Sequence, residues 1–345
     1  MLLFSILWLF EVFLTIIPFG LIFYVFPLFF LLPVYVIHKS TWYKIEKRLY
    51  SILPWIFLSY PHRRKYHVRA YGDYKKLQKI LLNDTKNLAL VIANHQTPSD
   101  IAVLIHFWHR INPNKKISHF SDLTWIQDYL LSVIPTGWVS KIHGDFFVLQ
   151  TQDINCLTKC TQCSTNDKKI KEQQPIKLRN YVKKIMQRHR FLQFFPEAGL
   201  FCNRKAGSQR FAEKHGFPVL ENVALPKTTG FTTIVDELFQ EGYLGEETKN
   251  NSRKVKHFIR LTISYPDIEK PWNPAHMISS GIFGRKDKYA HVHCHIESAD
   301  NIPRPIIDND NKKDVAEKML EPCEQYLHKY KKIFVENQCQ VFVHS

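Results

Sequence analysis

His95 and Asp100 stand five residues apart in "ANHQTPSDIAVL" (93–104), and together they supply the groups of a general base. An imidazole ionises near neutral pH, and a carboxylate on one ring nitrogen leaves the lone pair on the other. The spacing by itself is cheap. With 17 His and 15 Asp in 345 residues, chance gives roughly 0.7 such pairs, and His295 with Asp300 is a second match. Asp100 also has a purely structural explanation. Thr97 suits an N-cap, Pro98 the first helical position, and an acid at the third satisfies free backbone N–H groups and the helix dipole.

The surrounding elements discriminate. "NLALVIAN" (87–94) is a continuous apolar run, the pattern of a strand buried on both faces, so His95 falls at the C-terminal end of a buried strand. Open α/β sheets place ligands in the crevice at such ends. Further strands are predicted in "GDFFVLQ" (144–150), "FLQFFPE" (191–197), "FPVLENVALP" (217–226) and "FIRLTISYP" (258–266). Helices are predicted in "PSDIAVLIHFWHRI", "LTWIQDYLLSVI" and "KLRNYVKKIMQRH", while "NDKKIKEQQP" and "GEETKNNSRK" read as charged surface loops. The alternation predicts an α/β domain with a mixed, largely buried sheet flanked by helices over 66–305, including a polar insert at 152–176. A polar, helix-prone tail follows at 306–345.

Ahead of this domain, residues 1–37 contain a single charge, Glu11. The run is too long for one straight span of about 20 residues. Pro18, Gly20, Pro27 and Pro33 divide it into a span plus an interfacial piece, or into a shallow hairpin. It has no basic start and no small-residue cleavage site, so an uncleaved membrane anchor is predicted rather than a signal peptide. Lys39, Lys44, Lys47 and Arg48 follow it, and the positive-inside bias puts the body in the cytosol. Residues 38–65, ending in Arg63, Arg64 and Lys65, read either as an interfacial aromatic and basic segment or as a core helix with a solvated end.

The net charge of +16 suits a polyanion or an anionic lipid surface. No module that reads a nucleic-acid groove is apparent, and the apolar start points to lipid. Seven cysteines in a cytosolic body are expected to be reduced. Cys156, Cys160 and Cys163 have a C-x3-C-x2-C spacing that can hold an iron–sulfur cluster, but they lie in a polar loop and read as part of the insert. His291, His293 and His295 alternate, as one face of a strand would, and read as a polar, solvent-facing strand; zinc would need further ligands from elsewhere. His62, His67 and His143 read as structural histidines. No metal site is predicted.

Two more segments share the setting of His95. "FFPEAGL" runs from a strand into a Pro196 turn that presents Glu197, and "KIHGDFFVLQ" (141–150) enters a strand through Gly144. Taken with "ANHQ…D", "HGDFF", "FPEAG" and "NVALP", the chain resembles the glycerophospholipid acyltransferase family over roughly 85–305, most closely its lysophosphatidylglycerol acyltransferase branch. The resemblance implies a membrane-held enzyme, expected in the endoplasmic reticulum. It would move a fatty acyl chain from acyl-CoA to a lysophospholipid hydroxyl, without a covalent acyl-enzyme and with no cofactor beyond acyl-CoA as co-substrate. Its partners are then the two substrates and membrane lipids, not nucleic acid.

Residue by residue, it implies that His95 is the base and Asp100 its orienter. Gly144 and Phe146 would shape the acceptor pocket. Glu197 with Gly199 would position the acceptor, and Arg204 and Lys205 would attract phosphate. Three positions depart from the family pattern: Ala198 replaces a glycine, Leu149 an arginine near the end of the second block, and Leu200 an arginine just after the third. A catalytically impaired lipid-binding member of the same fold is the alternative they raise.

Overall fold

The computed structural model describes residues 18, 21–54, 66–112, 119–133, 135–149, 164–217, 219–245, 253–265 and 288–302. Among them, seven strands form one sheet: β1 (Tyr66–Gly72), β2 (Leu88–Ala93), β3 (Leu123–Asp128), β4 (Phe146–Val148), β5 (Phe191–Phe194), β6 (Val255–Ser264) and β7 (Lys288–Ser298). They pair in the order β1-β7-β6-β2-β5-β3-β4. The five strands from β6 to β4 run parallel, while β7 is antiparallel to β6 and carries β1 with it. The predicted mixed sheet is therefore present, and the C-terminal ends of five strands share one edge.

Both faces are covered, as the apolar run of β2 requires. Ala89, Val91 and Ala93 join one core, shared with Val103, Leu104, Phe107 and Trp108 of α5 (Asp100–Ile111). Leu88, Leu90 and Ile92 join the other, packed on α7 (Ser164–Ile185) and α9 (Thr228–Gln240). The remaining helices are α1 (Phe26–Phe30), α2 (Leu32–Ile37), α3 (Lys39–Tyr50), α4 (Tyr74–Asn83), α6 (Pro135–His143) and α8 (Phe201–His215).

Three predicted elements differ. "LTWIQDYLLSVI" is not a helix: Leu123–Asp128 is a strand between β5 and β4, followed by a 3-10 turn at Tyr129–Val133. Its apolar spacing fits either period over so short a run, and the neighbouring ladders decide. "FPVLENVALP" forms no strand over its described residues. Pro218 and Pro226 lack donors, and the N–H groups of Ala224 and Leu225 go to the side chains of Glu197 and Ser208 rather than to a neighbouring strand. "NDKKIKEQQP" lies inside α7, with Pro175 within the helix. Its Lys, Glu and Gln are good helix formers, and Leu178, Val182 and Ile185 dock the following turns on the core.

The N-terminal expectation is redrawn over its described part. A π-helical turn at Leu21–Val25, α1 and α2 are short pieces separated at Leu31 and His38. Among the described residues, no helix is long and apolar enough to cross a membrane. Residues 1–17 lie outside the description, as do 55–65 with Arg63, Arg64 and Lys65, the three cysteines of the insert, and the tail from 303.

α3 buries Trp42, Glu46 and Tyr50 on one face, so its described length is a helix docked on the domain. Glu46, fully buried, accepts from Tyr24 Oη (2.6 Å) and pairs with His143 Nδ1 (2.8 Å) and with Arg188. This cluster ties the N-terminal pieces to α6 and to the residues after α7.

Candidate active site

Three neighbouring parallel strands, β6, β2 and β5, end side by side, about 4.8 Å apart. Each delivers one residue to the same edge: Tyr265 after β6, His95 after β2 and Glu197 after β5. The β2 exit is pinned first. Asn94 extends the ladder with its side chain, Oδ1 accepting from Ile263 N (2.7 Å) and Nδ2 donating to Ile263 O (3.0 Å). Gln96 Nε2 donates to the same carbonyl (3.1 Å). His95 is thus held between two anchored neighbours.

The imidazole Nδ1 lies 3.0 Å from Asp100 Oδ2. A carboxylate can only accept, so Nδ1 carries the hydrogen and Nε2 keeps its lone pair. The same Oδ2 accepts from Gln96 N (2.6 Å) and Thr97 N (2.9 Å), and Tyr265 Oη donates to Oδ1. Phe195 stacks on the imidazole (4.1 Å between centroids, 16° between planes) and fixes its plane. Asp100 is fully buried, whereas the His95 side chain keeps 16% of its surface exposed, enough to meet a substrate.

The expected cap is corrected here. α5 begins at Asp100, with Ser99 rather than Thr97 at the N-cap position and no side-chain cap bond. The carboxylate instead closes the turn before the helix, so its capping and histidine-orienting roles coexist in one group.

Glu197 is fully buried, and its two oxygens accept from His95 N (2.9 Å) and Ala224 N (3.1 Å). Burial pushes its carboxyl up to about 8, against the lowering effect of those two N–H groups. It braces the backbone of His95 against the "NVALP" segment. Two backbone bonds complete the frame: Phe201 N donates to His95 O (2.8 Å) and Lys227 N to Pro196 O (2.8 Å).

Arg204 turns back onto this loop, donating to the carbonyls of Glu197 and Ala198. Lys205 is exposed and lies 5.5 Å over the Phe201 ring. Gly199, at φ +147°, leaves room for the Arg204 side chain, since a Cβ there would come within 3.0 Å of Arg204 Cδ. Ala198 adopts φ +50°, so the turn forms without the glycine that the family pattern favours. An alanine in this region costs about 1–2 kcal/mol, partly offset by the greater entropy a glycine loses on folding. Ala198→Gly should therefore raise stability by roughly 0.5–1 kcal/mol, visible as a small rise in thermal midpoint.

His95, Asp100, Glu197, Gly199 and Arg204 come together. Gly144 and Phe146 do not join them through any described contact. They belong to β4 and its entry, three strands from β2, roughly 14 Å across the sheet. Gly144 (φ +99°) packs against Arg188 and Ile185, and Phe146 against Tyr181. Tyr265, Asn94 and Phe195 escaped the sequence reading. Asn94 and Phe195 lie inside the quoted "ANHQ" and "FPEAG" without being singled out there, and nothing in "TISYP" marks Tyr265 until β6 is paired with β2. The second His-x4-Asp match does not form a pair: His295 faces Asp73 (3.6 Å) and Glu297 (2.9 Å), while Asp300 bonds Ser298. β7 is an internal strand and His291 is buried, rather than facing solvent. Among the described residues no three His, Cys, Asp or Glu side chains gather as metal ligands.

Against known proteins, the Acyltransferase family model matches residues 73–239. Acyl-CoA:lysophosphatidylglycerol acyltransferase 1 of Homo sapiens is 26% identical over 275 residues, covering 77% of this chain and 65% of the human protein. The Mus musculus protein of that name is 26% identical with the same coverage. Lysocardiolipin acyltransferase 1 of Mus musculus is 35% identical over 113 residues, covering 32% of this chain and 26% of that one. The chain thus spans just under two thirds of the length of the first two relatives.

Proposed function

We propose that the protein, matched by the Acyltransferase family model over residues 73–239, transfers a fatty acyl chain from acyl-CoA to the free hydroxyl of a lysoglycerophospholipid. The observation that carries this reading is the Nδ1–Oδ2 bond of 3.0 Å between His95 and Asp100 at the strand-end crevice. It leaves Nε2 as a base on a ring held by Asp100 at Nδ1 and by Phe195 on one face.

In the proposed reaction, Nε2 takes the proton of the acceptor hydroxyl as its oxygen attacks the thioester carbonyl. The tetrahedral adduct collapses by breaking the C–S bond, and the CoA sulfur leaves with the proton held on His95. Asp100 stabilises the imidazolium between the two steps. Glu197 acts here as a brace for the His95 backbone rather than as a contact to the acceptor. Arg204 braces the same turn, and exposed Lys205 is the cation we assign to substrate phosphate. No cofactor beyond acyl-CoA is needed.

The same proposal puts the protein on a membrane, the endoplasmic reticulum by resemblance, with its domain in the cytosol. Exposed apolar side chains support membrane contact: Phe30, Val36 and Ile37 on the N-terminal pieces, and Leu130, Val133 and Trp138 beyond β3. The impaired lipid-binding alternative keeps Leu149 and Leu200 in its favour, but not Ala198, whose turn is formed.

A matrix of radiolabelled acyl-CoAs against a panel of lysolipids, run on microsomes containing the full chain, tests the proposal. Incorporation with lysophosphatidylglycerol or another lysoglycerophospholipid above empty-vector microsomes is the expected result. No incorporation with any acceptor, while lysolipid still binds, would overturn transfer and leave the binding alternative.

A further inference from the structure

Tyr265 lies outside the matched domain, at the first position after β6, and is nearly fully buried. Its hydroxyl donates to Asp100 Oδ1, the carboxylate oxygen turned away from His95. Oδ2 meanwhile serves the imidazole and two backbone N–H groups. Asp100 thus divides its negative charge among an imidazole, two amides and a phenol, with none of its own surface exposed.

We infer that Tyr265 is a positioning residue of the His95–Asp100 pair, whose hydroxyl limits how strongly Asp100 draws on the imidazole proton. The inference rests on the reading of His95 as the base. A buried carboxylate that loses one donor concentrates its charge on those that remain. The Asp100–imidazole bond then tightens and the ring becomes more basic. At a given pH, less of the neutral ring is available to accept a proton. The phenol remains a donor throughout the working range, because burial, with Asp100 adding to it, pushes its ionisation well above the ordinary value. The other ionisable groups facing the pair among the described residues are Glu197 and, behind it, Arg204. Both are present in enzyme and variant alike, so a difference between pH profiles isolates Tyr265.

The test is the pH dependence of kcat/KM for the full chain in microsomes, with lysophosphatidylglycerol and a radiolabelled long-chain acyl-CoA. Tyr265→Phe should lower kcat roughly threefold on the acid limb, with little change in KM. It should also move the acid limb up by about half a pH unit or more. Fluorotyrosine at position 265, a stronger donor of nearly the same size, should move that limb down. A merely structural tyrosine would lower the yield of folded protein but leave the limb in place. An unmoved limb in both variants, with activity per folded molecule unchanged, overturns the inference. His95→Ala run in parallel separates the two readings. If it is inactive while the limb stays fixed, only the Tyr265 role fails; if it is active, the base assignment fails as well.

Discussion

His95→Ala is expected to reduce acyl transfer by about 10³-fold or more, with the protein still folded. The size follows from what the ring supplies in the proposed mechanism: with Nε2 gone, a neutral hydroxyl would attack unaided, and the leaving sulfur would lose its proton donor. The variant should fold because the backbone bonds of residue 95 are independent of its side chain: its N–H still reaches Glu197 and its carbonyl still accepts from Phe201. Asp100 keeps Gln96 N, Thr97 N and Tyr265 as donors. Asp100→Asn should approach the same loss by another route. The asparagine carbonyl oxygen takes the place of Oδ2, keeping Gln96 N, Thr97 N and His95 Nδ1 as donors, and its amide N–H₂ takes the place of Oδ1 facing Tyr265. The imidazole keeps its tautomer, but the negative charge that stabilises the imidazolium between the two steps is gone. Incorporation assays on membranes normalised for folded protein check both variants. Turnover near wild-type in His95→Ala would remove the base from the mechanism.

What could be read ahead of the structure is bounded by physical range. β2 announces itself because burial on both faces imposes an unbroken apolar run, and the helix after it because its 3.6 period lasts three turns. The His95–Asp100 contact is local, five residues apart, so the turn that closes it could be anticipated. Everything that reaches across the sheet was hidden. Tyr265 meets Asp100 only because β6 lies beside β2 in a register that no single strand encodes. Glu197 was expected to face the acceptor, yet its oxygens take the N–H groups of His95 and Ala224, one of them from a segment expected to be a strand. β3 was lost for the opposite reason: six residues, Leu123–Asp128, are too few to separate a period of two from one of 3.6.

The buried Glu46 cluster is a further case of long-range pairing, and it carries the largest expected effect on stability. Glu46 accepts from Tyr24, His143 and Arg188, residues that lie up to 142 positions from it in sequence. His143, stacked 3.5 Å from Tyr50, has its second nitrogen 2.8 Å from the Leu123 carbonyl. The two ring nitrogens thus bridge the Glu46 carboxylate and the β3 backbone. Glu46→Gln removes the buried carboxylate charge that pairs with Arg188 and His143. Stranding buried charge in this way costs about 3–5 kcal/mol, a fall in thermal midpoint on the order of 10 °C. Tyr24→Phe, which removes a single neutral donor, should cost only about 1 kcal/mol. Acid makes the comparison sharper. Burial alone would raise the Glu46 carboxyl, but hydrogen bonding and charge from His143, with Arg188, outweigh it and hold the group below the usual range. A depressed carboxylate contributes stability above its unfolded value and loses it as pH falls through its folded value. The gap between wild type and Glu46→Gln should therefore be widest near neutral pH and narrow below roughly pH 4.3. Denaturant titrations of both proteins at neutral and acid pH measure that gap. A wild-type midpoint in Glu46→Gln at neutral pH would show that the cluster does not hold the N-terminal pieces to the domain.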